Sequence, residues 1–141
     1  MGKKDVHKLS PETGIAPILL GISSHENDYR LSWALNENLG FRFTKTENHK
    51  SFNQRLSETQ EFSTYSFTDD ENSNTYRLIS NRCDNGFLLD ELKNIDFLVL
   101  IEPSDPLYRA SELMAKIRSV PFVSGIFAID MERLKNKKRL L

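Results

Sequence analysis

The most apolar stretch of this 141-residue chain is IDFLVLI, residues 95–101, and it constrains the fold more than any other segment. Asp96 is its only polar residue, and Pro103 follows closely and prevents the strand from continuing. A strand this apolar is stable only when both faces are covered, which disfavours an edge position facing water. We therefore predict a central strand, with residues 122–129 or 15–22 among its neighbours.

Two segments have the periodicity of amphipathic helices. The first is predicted to start in a capping box formed by Ser23 and Glu26 and to end at Gly40. The second is predicted to start at Asp105-Pro106, with proline at the first helical position. The buried stripes are Leu31, Ala34, Leu35 and Leu39 in the first helix, and Leu107, Ala110, Leu113, Met114 and Ile117 in the second.

The middle of the chain predicts short strands joined by turns. Alternating phenylalanines predict a strand at residues 41–46, and residues 61–67 and 75–81 flank the turn-forming DDENSN as a β-hairpin with an exposed tip. Residues 47–60 are polar and are predicted to form a mobile loop. Asn-Gly within residues 84–86 predicts a further turn.

Residues 122–129 form the last predicted strand, and Asp130 is predicted to cap a short, basic final helix. The predicted order β-α-β-β-β-β-α-β-α belongs to the α+β class. We expect a two-layer α/β sandwich, with an approximately six-stranded, mostly antiparallel sheet, two main helices on one face and a short C-terminal helix. Residues 95–129 are expected to make a right-handed crossover. Residues 1–13 are expected to be a flexible lead-in, and residues 14–141 a single domain.

Composition limits the classes of function. The 19 basic and 20 acidic residues nearly cancel, so the overall balance predicts neither nucleic-acid nor membrane binding. The single cysteine, Cys83, cannot form an internal disulfide or a multi-thiolate metal site, which favours a reduced, cytoplasmic protein. The apolar run at residues 15–22 is too short to cross a membrane. The sequence has no glycine-rich phosphate loop, and no cofactor is expected.

The C-terminal end is strongly basic. Its cations are Arg133, Lys135, Lys137, Lys138 and Arg139. Such a run is typical of the solvated end of a helix. The alternative is a contact with RNA or with an acidic partner.

The outer face of the first predicted helix carries Tyr29, Arg30 and Trp33 opposite the leucine stripe. Tyr29 and Trp33 are four residues apart and can touch on a helix. An aromatic pair beside an arginine has the composition of an interaction hot spot, so this face is a candidate partner-binding surface. The alternative is that loops or the rim of the sheet cover the rings as peripheral core.

Polar residues offer one further candidate site, formed by His25, Asp28, Glu91 and Asp96 if the fold brings them together. Sequence spacing cannot show that convergence. For His25, the simpler interpretation is a solvated surface histidine, and for Glu91 and Asp96 it is a role in setting the turn and register before the central strand. No metal-binding spacing of histidines occurs, and no catalytic residue or metal ligand is assigned.

Three segments, in order, resemble the IPExxxVDY family, small proteins of the Bacteroidetes lineage. LDELKNIDF, residues 89–97, is similar to the signature, with Glu91 and Asp96 identical to it and Asp90 in place of the proline. The conservative substitutes are Leu89, Ile95 and Phe97. GISSHENDYRLSWALN and RSVPFVSGIFAID resemble other segments typical of the family, and the similarity spans most of residues 18–131. The resemblance implies no known substrate, cofactor or catalytic residue.

Together these observations predict a non-catalytic interaction or adaptor module. An RNA-associated protein that uses the C-terminal cations is one alternative. A small enzyme or ligand sensor, with its site near His25, Asp28, Glu91 and Asp96, is another. The hairpin edge at residues 61–81 is a candidate for pairing with a second copy in a homodimer.

Overall fold

The structure, a computed structural model, describes residues 14–140; the predicted lead-in of residues 1–13 lies outside the described part of the chain. It is a mixed α/β protein with a six-stranded antiparallel sheet in the order β10-β1-β9-β6-β5-β2. Two two-stranded ribbons, β3-β4 and β7-β8, accompany that sheet. The elements are β1 Ile18–Ser23, α1 Asp28–Leu39, β2 Thr44–Lys45, β3 His49–Asn53, β4 Glu58–Phe62, β5 Thr64–Thr68, β6 Thr75–Ser80, β7 Arg82–Cys83, β8 Gly86–Phe87, β9 Phe97–Glu102, α2 Ser111–Arg118 and β10 Gly125–Ile129.

The apolar run forms the central strand β9, as predicted. Val99 pairs with Leu20 of β1 on one side and with Leu78 of β6 on the other. Both β9 and β10 run antiparallel to β1, so they are parallel to each other, with α2 in the connection between them. The crossover is therefore confirmed, while its handedness stays a prediction.

Alternate residues of the central strands point into two separate apolar clusters, as the two-residue period of a strand requires. The first cluster contains residues of both helices together with Leu20, Val99 and Ile101. The second contains Leu19, Leu98 and Leu100. Segments outside α1 and α2 complete the second cluster; their buried members are Phe62, Leu88, Leu89, Ile95 and Leu140.

Helix α1 starts later than predicted. Its cap is Asn27, whose Oδ1 accepts a hydrogen bond from the Arg30 N–H at 2.8 Å. The predicted capping box is wrong because Ser23 still belongs to β1, and its hydroxyl donates to the Asn94 carbonyl oxygen. The predicted end is confirmed, since Gly40 adopts φ 71° and donates to the Asn36 carbonyl oxygen.

Helix α2 also starts later than predicted, at Ser111 rather than Pro106. Asp105 forms a turn instead: its side chain accepts the Leu107 N–H, and its carbonyl oxygen accepts the Tyr108 N–H. Leu107 is consequently 74% exposed and not part of a buried stripe. Leu113 and Ile117 are buried as expected.

The loop predicted at residues 47–60 is wrong, because these residues form the β3–β4 hairpin. Strand β3 buries polar residues where a strand usually buries apolar ones: His49, Ser51 and Asn53 are buried, while Lys50 and Phe52 are exposed. A polar buried face gives no hydrophobic alternation, which is why the strand signal is lost. The buried groups are satisfied by hydrogen bonds instead, and no buried side-chain nitrogen or oxygen among the described residues lacks a partner.

The hairpin at residues 61–81 is confirmed in part. Strands β5 and β6 pair antiparallel, but residues 61 and 62 belong to β4. The predicted open edge is covered in part, since β6 pairs with β9 and β5 pairs with the two-residue β2 through Tyr65 and Ser66; the outer strands of the sheet are β2 and β10. The strand predicted at residues 41–46 is reduced to the two residues of β2, while Phe43 lies in the first cluster and Phe41 packs against it.

The basic C-terminus forms two short 3-10 helices, Met131–Arg133 and Lys137–Leu140, instead of one final helix. Asp130 caps the first by accepting the Glu132 N–H at 3.0 Å, as predicted. Within residues 14–140, no helix has the length and apolar character needed to cross a membrane.

Candidate functional site

The outer face of α1 is open to solvent. Tyr29 is 67% exposed and Trp33 is 53% exposed, so the alternative that these rings are peripheral core is wrong. They are held there from the opposite side of the helix, where Leu31 and Leu35 are fully buried in the first cluster. The sequence therefore folds this helix with one apolar face inward and an aromatic pair outward.

Arg30 lies between this aromatic pair and the loop before β10. Its Nε is 3.2 Å from Glu26 Oε1, and its guanidinium carbon is 5.1 Å from the centroid of the Phe122 ring. The two contacts orient a planar donor group on an exposed surface. We call Tyr29, Arg30, Trp33 and Phe122 the α1 face; Phe122 was not predicted, because only the fold brings it beside α1.

A polar cleft of about 380 Å³ lies beside the start of α1. It is lined by His25, Asp28 and Asp96, so three of the four predicted polar residues meet, together with Arg82. Glu91 is not among the residues that line this cleft. The predicted four-residue convergence is therefore achieved only in part.

The carboxylates of this cleft hold chain segments together. Asp96 accepts the Ser24 N–H at 2.8 Å through Oδ2, and its Oδ1 accepts from Arg82 Nε at 3.0 Å. Asp28 Oδ2 accepts from the Ser63 hydroxyl, which ties α1 to the strands behind it. These contacts account for the acidic residues by architecture, and His25 is exposed at the rim.

Glu91 has its own structural role. Its carboxylate accepts the backbone N–H of Lys135 at 3.0 Å and that of Asn136 at 3.3 Å. It thereby fixes the C-terminal segment, 44 residues later in the chain, against the 3-10 helix Asp90–Leu92. These contacts differ from the predicted role in setting the turn and register before the central strand, because they join Glu91 to a distant segment.

The C-terminal cations do not act as one patch. Arg133 pairs with Asp130 and Lys137 with Glu132, each on the surface. Arg139 is half-buried: its Nε donates to Ser51 Oγ at 2.9 Å, and its Nη1 donates to the carbonyl oxygens of Phe87 and Leu88. Burial lowers the pKa of the Arg139 guanidinium, although Asp90 opposes that shift.

Lys138 and Arg139 line a cleft of about 670 Å³ together with Lys50, Arg55 and Phe52 of the β3–β4 hairpin. Sequence reasoning missed these three residues because it assigned their segment to a loop. The segment KSFNQR places Lys50 and Phe52 two residues apart and Arg55 three residues later, and this grouping of cations around a ring is the signal that could have found them.

A further cleft, of about 740 Å³, lies between the β5–β6 turn and the start of α2. Asp69 at its rim accepts from the Glu71 N–H and from Asn72 Nδ2, so the acidic tip is a hydrogen-bonded turn. The hydroxyls of Tyr76 and Tyr108 are 3.3 Å apart at its inner end. Burial raises the pKa of Tyr108, and its hydrogen bond with Tyr76 adds to the shift.

Cys83 is a free, half-buried thiol whose Sγ donates to Asn85 Oδ1 at 3.0 Å. Across residues 14–140, no group of three or more His, Cys, Asp and Glu side chains is arranged to hold a metal ion.

Comparison with known proteins finds no family model, no curated protein and no solved structure that matches this chain.

Proposed function

We propose that this protein is a non-catalytic interaction module that binds a protein partner through the α1 face. The observation that carries the proposal is the exposure of Tyr29 and Trp33 on a helix whose other side is fixed in the core. Aromatic rings give a large contact area while losing few rotatable bonds, and arginine adds oriented donors. The ion pair and ring contact of Arg30 hold its guanidinium in place before a partner arrives.

We further propose that the chain is a cytoplasmic member of the IPExxxVDY family with a two-layer α/β arrangement. The contribution of both helices to a single cluster supports the two-layer arrangement. An enzymatic role near His25 finds less support, because the carboxylates of Asp28 and Asp96 hold chain segments together.

The partner can be identified by photo-cross-linking. A photoreactive phenylalanine analogue at position 33 should capture one stoichiometric protein in native cytoplasm, which mass spectrometry then identifies. Pull-down of that protein should be lost with a Tyr29→Ala, Trp33→Ala double variant. The matched control is Leu107→Ala with Phe127→Ala, which removes two other exposed apolar side chains.

Recovery that is equal for both double variants would refute the α1 face as the binding surface. The variants should also remain folded. Because Trp33 is half exposed, Trp33→Ala should cost less than the roughly 3–5 kcal/mol expected for a buried aromatic residue, as measured by urea denaturation.

A further inference from the structure

The cleft beside β3 concentrates positive charge in a chain whose net charge is −1. Four cations line it, Lys50, Arg55, Lys138 and Arg139, against the single acid Asp90. Asp90 is 4.0 Å from Arg55 and also acts on the Arg139 guanidinium, so one carboxylate offsets part of the charge of both. Glu61 lies opposite Lys50 on β4, so the cations around the cleft still outnumber the acids, and this excess makes the cleft a local attractor for anions.

Arg139 is the fixed part of this charge. Its guanidinium donates to Ser51, Phe87 and Leu88, and also to Gln60 Oε1. All four acceptors are neutral oxygens, so these bonds orient the guanidinium without neutralising it. The positive charge at the inner side of the cleft is therefore held in one place by the fold.

The same cleft carries an exposed aromatic ring. Phe52 is 58% exposed, although it lies in the middle of β3. Residues 50 and 52 lie on the same side of the strand because side chains alternate along it, so a cation and a ring stand two residues apart on the solvent face. The buried side of β3 is polar, and the phenylalanine therefore does not serve the apolar core in this hairpin.

We propose that this cleft binds a single-stranded nucleic acid, with a base stacked on Phe52 and neighbouring phosphates held by Lys50, Lys138 and Arg139. Cations beside an exposed aromatic ring form the combination by which proteins bind single strands without sequence preference. The volume of about 670 Å³ lies within the range of about 300–1,000 Å³ typical of ligand sites. A peptide made of Asp and Glu alone would satisfy the cations but would leave the ring without a packing partner. This site is separate from the α1 face and does not depend on the proposed protein partner.

The test is fluorescence anisotropy with a labelled eight-nucleotide oligouridylate, titrated with the full chain over a range of salt concentrations. Lys50→Gln with Lys138→Gln should weaken binding about tenfold or more at low salt. It should also lower the slope of log affinity against log salt by about 1.4, about 0.7 for each lost phosphate contact. The matched control, Lys93→Gln with Lys116→Gln, changes the net charge equally outside the cleft and should leave binding nearly unchanged.

Phe52→Leu separates stacking from charge. It should weaken binding about fivefold to a hundredfold, the loss expected when one stacked base is lost, and leave the salt slope unchanged. An abasic oligomer of the same length should bind weakly and equally to the wild-type chain and to Phe52→Leu.

Three results would overturn the proposal: no binding of the oligouridylate, equal losses in the cleft and control variants, or equally tight binding of the abasic oligomer or of polyglutamate. Equally tight binding of polyglutamate would assign the cleft to acidic peptides instead. Phe52 and Lys50 are exposed, so their variants should melt like the wild-type chain, and thermal melts check this directly.

Discussion

Asn81 is a fully buried polar residue that holds the segment before β9 against the sheet. Its Nδ2 donates to the carbonyl oxygens of Leu92 and Ile95 at 3.0 and 2.9 Å, and its Oδ1 accepts the Leu89 N–H at 2.8 Å. An amide suits this position because it can donate twice and accept at the same time. One side chain thus satisfies three backbone groups of a buried loop.

Asn81→Asp should reverse part of this network. The carboxylate still accepts the Leu89 N–H, but its second oxygen faces the carbonyl oxygens of Leu92 and Ile95. We therefore expect the free energy of unfolding to fall by about 3 kcal/mol or more at pH 7. That repulsion raises the pKa of the new carboxyl in the folded state above its unfolded value of about 3.9. The deficit should therefore grow as pH rises through the folded pKa, and shrink as pH falls below it.

Urea denaturation of Asn81→Asp between pH 3 and pH 8, each point referred to the wild-type chain, measures this deficit. Asn94→Asp, at an exposed position nearby, serves as the control and should change little. A deficit that does not vary with pH would contradict the repulsion between the carboxylate and the carbonyl oxygens.

Glu91 and Asp96 show how far residue-scale prediction reaches. A role in setting the turn and register before the central strand was predicted for both; the contact of Asp96 with Ser24 fits it, while Glu91 holds the C-terminal segment instead. Their partners could not be predicted, because Ser24 lies 72 residues away from Asp96, and Lys135 lies 44 residues from Glu91. Contacts of such separation depend on topology, which local patterns do not encode.

At the scale of elements, the ends of α1 differ in how well local chemistry defines them. Gly40 was predicted as the C-terminal cap and adopts φ 71°, a left-handed conformation that strongly favours glycine. The start could not be predicted, because Ser23 and Asn27 both precede a helical pattern. Pairing in β1 retains Ser23 in the sheet and leaves Asn27 as the cap.

Gly40→Ala tests the backbone argument in isolation. A Cβ at Gly40 would meet no atom within 4 Å, so any cost comes from conformation and not from a clash. We expect the free energy of unfolding to fall by about 1–2 kcal/mol, because the left-handed conformation is sterically unfavourable for alanine. Gly40→Asn should cost less, since asparagine tolerates that conformation better. Thermal melts that rank alanine at least as stable as asparagine would contradict this explanation.

The β3–β4 hairpin shows why some elements escape prediction from sequence. Hydrophobic periodicity detects a strand only when its buried face is apolar. Here the buried face holds His49, Ser51, Asn53 and Gln60, and the side chain and carbonyl oxygen of Arg139 supply partners for three of them. The hairpin side of the candidate nucleic-acid cleft, formed by Lys50, Phe52 and Arg55, was missed for the same reason.

Across the whole molecule, the two apolar clusters are covered by different kinds of structure. The first is formed with both helices, whose stripes are visible in the sequence. The second is completed by Phe62 of the hairpin, by the segment before β9 and by Leu140 near the C-terminus. The sheet and its central strand were predictable from local patterns. The segments that complete the second cluster were not predictable, because they lie far apart in the chain.

The C-terminal residues should therefore contribute to global stability. Leu140 is fully buried in the second cluster, so Leu140→Ala should cost about 2–5 kcal/mol. Ending the chain after Asn136 should cost more, because it also removes Arg139 and leaves Ser51 and Gln60 short of a partner. The control is Arg133→Gln, an exposed cation near the same end, which should change stability by less than about 0.5 kcal/mol. Urea denaturation, fitted with one dependence of the free energy of unfolding on urea concentration, should rank the four chains in decreasing stability as wild type, Arg133→Gln, Leu140→Ala and truncated. If Leu140→Ala proved as stable as Arg133→Gln, the C-terminal segment would be a dispensable tail and not part of the core cover.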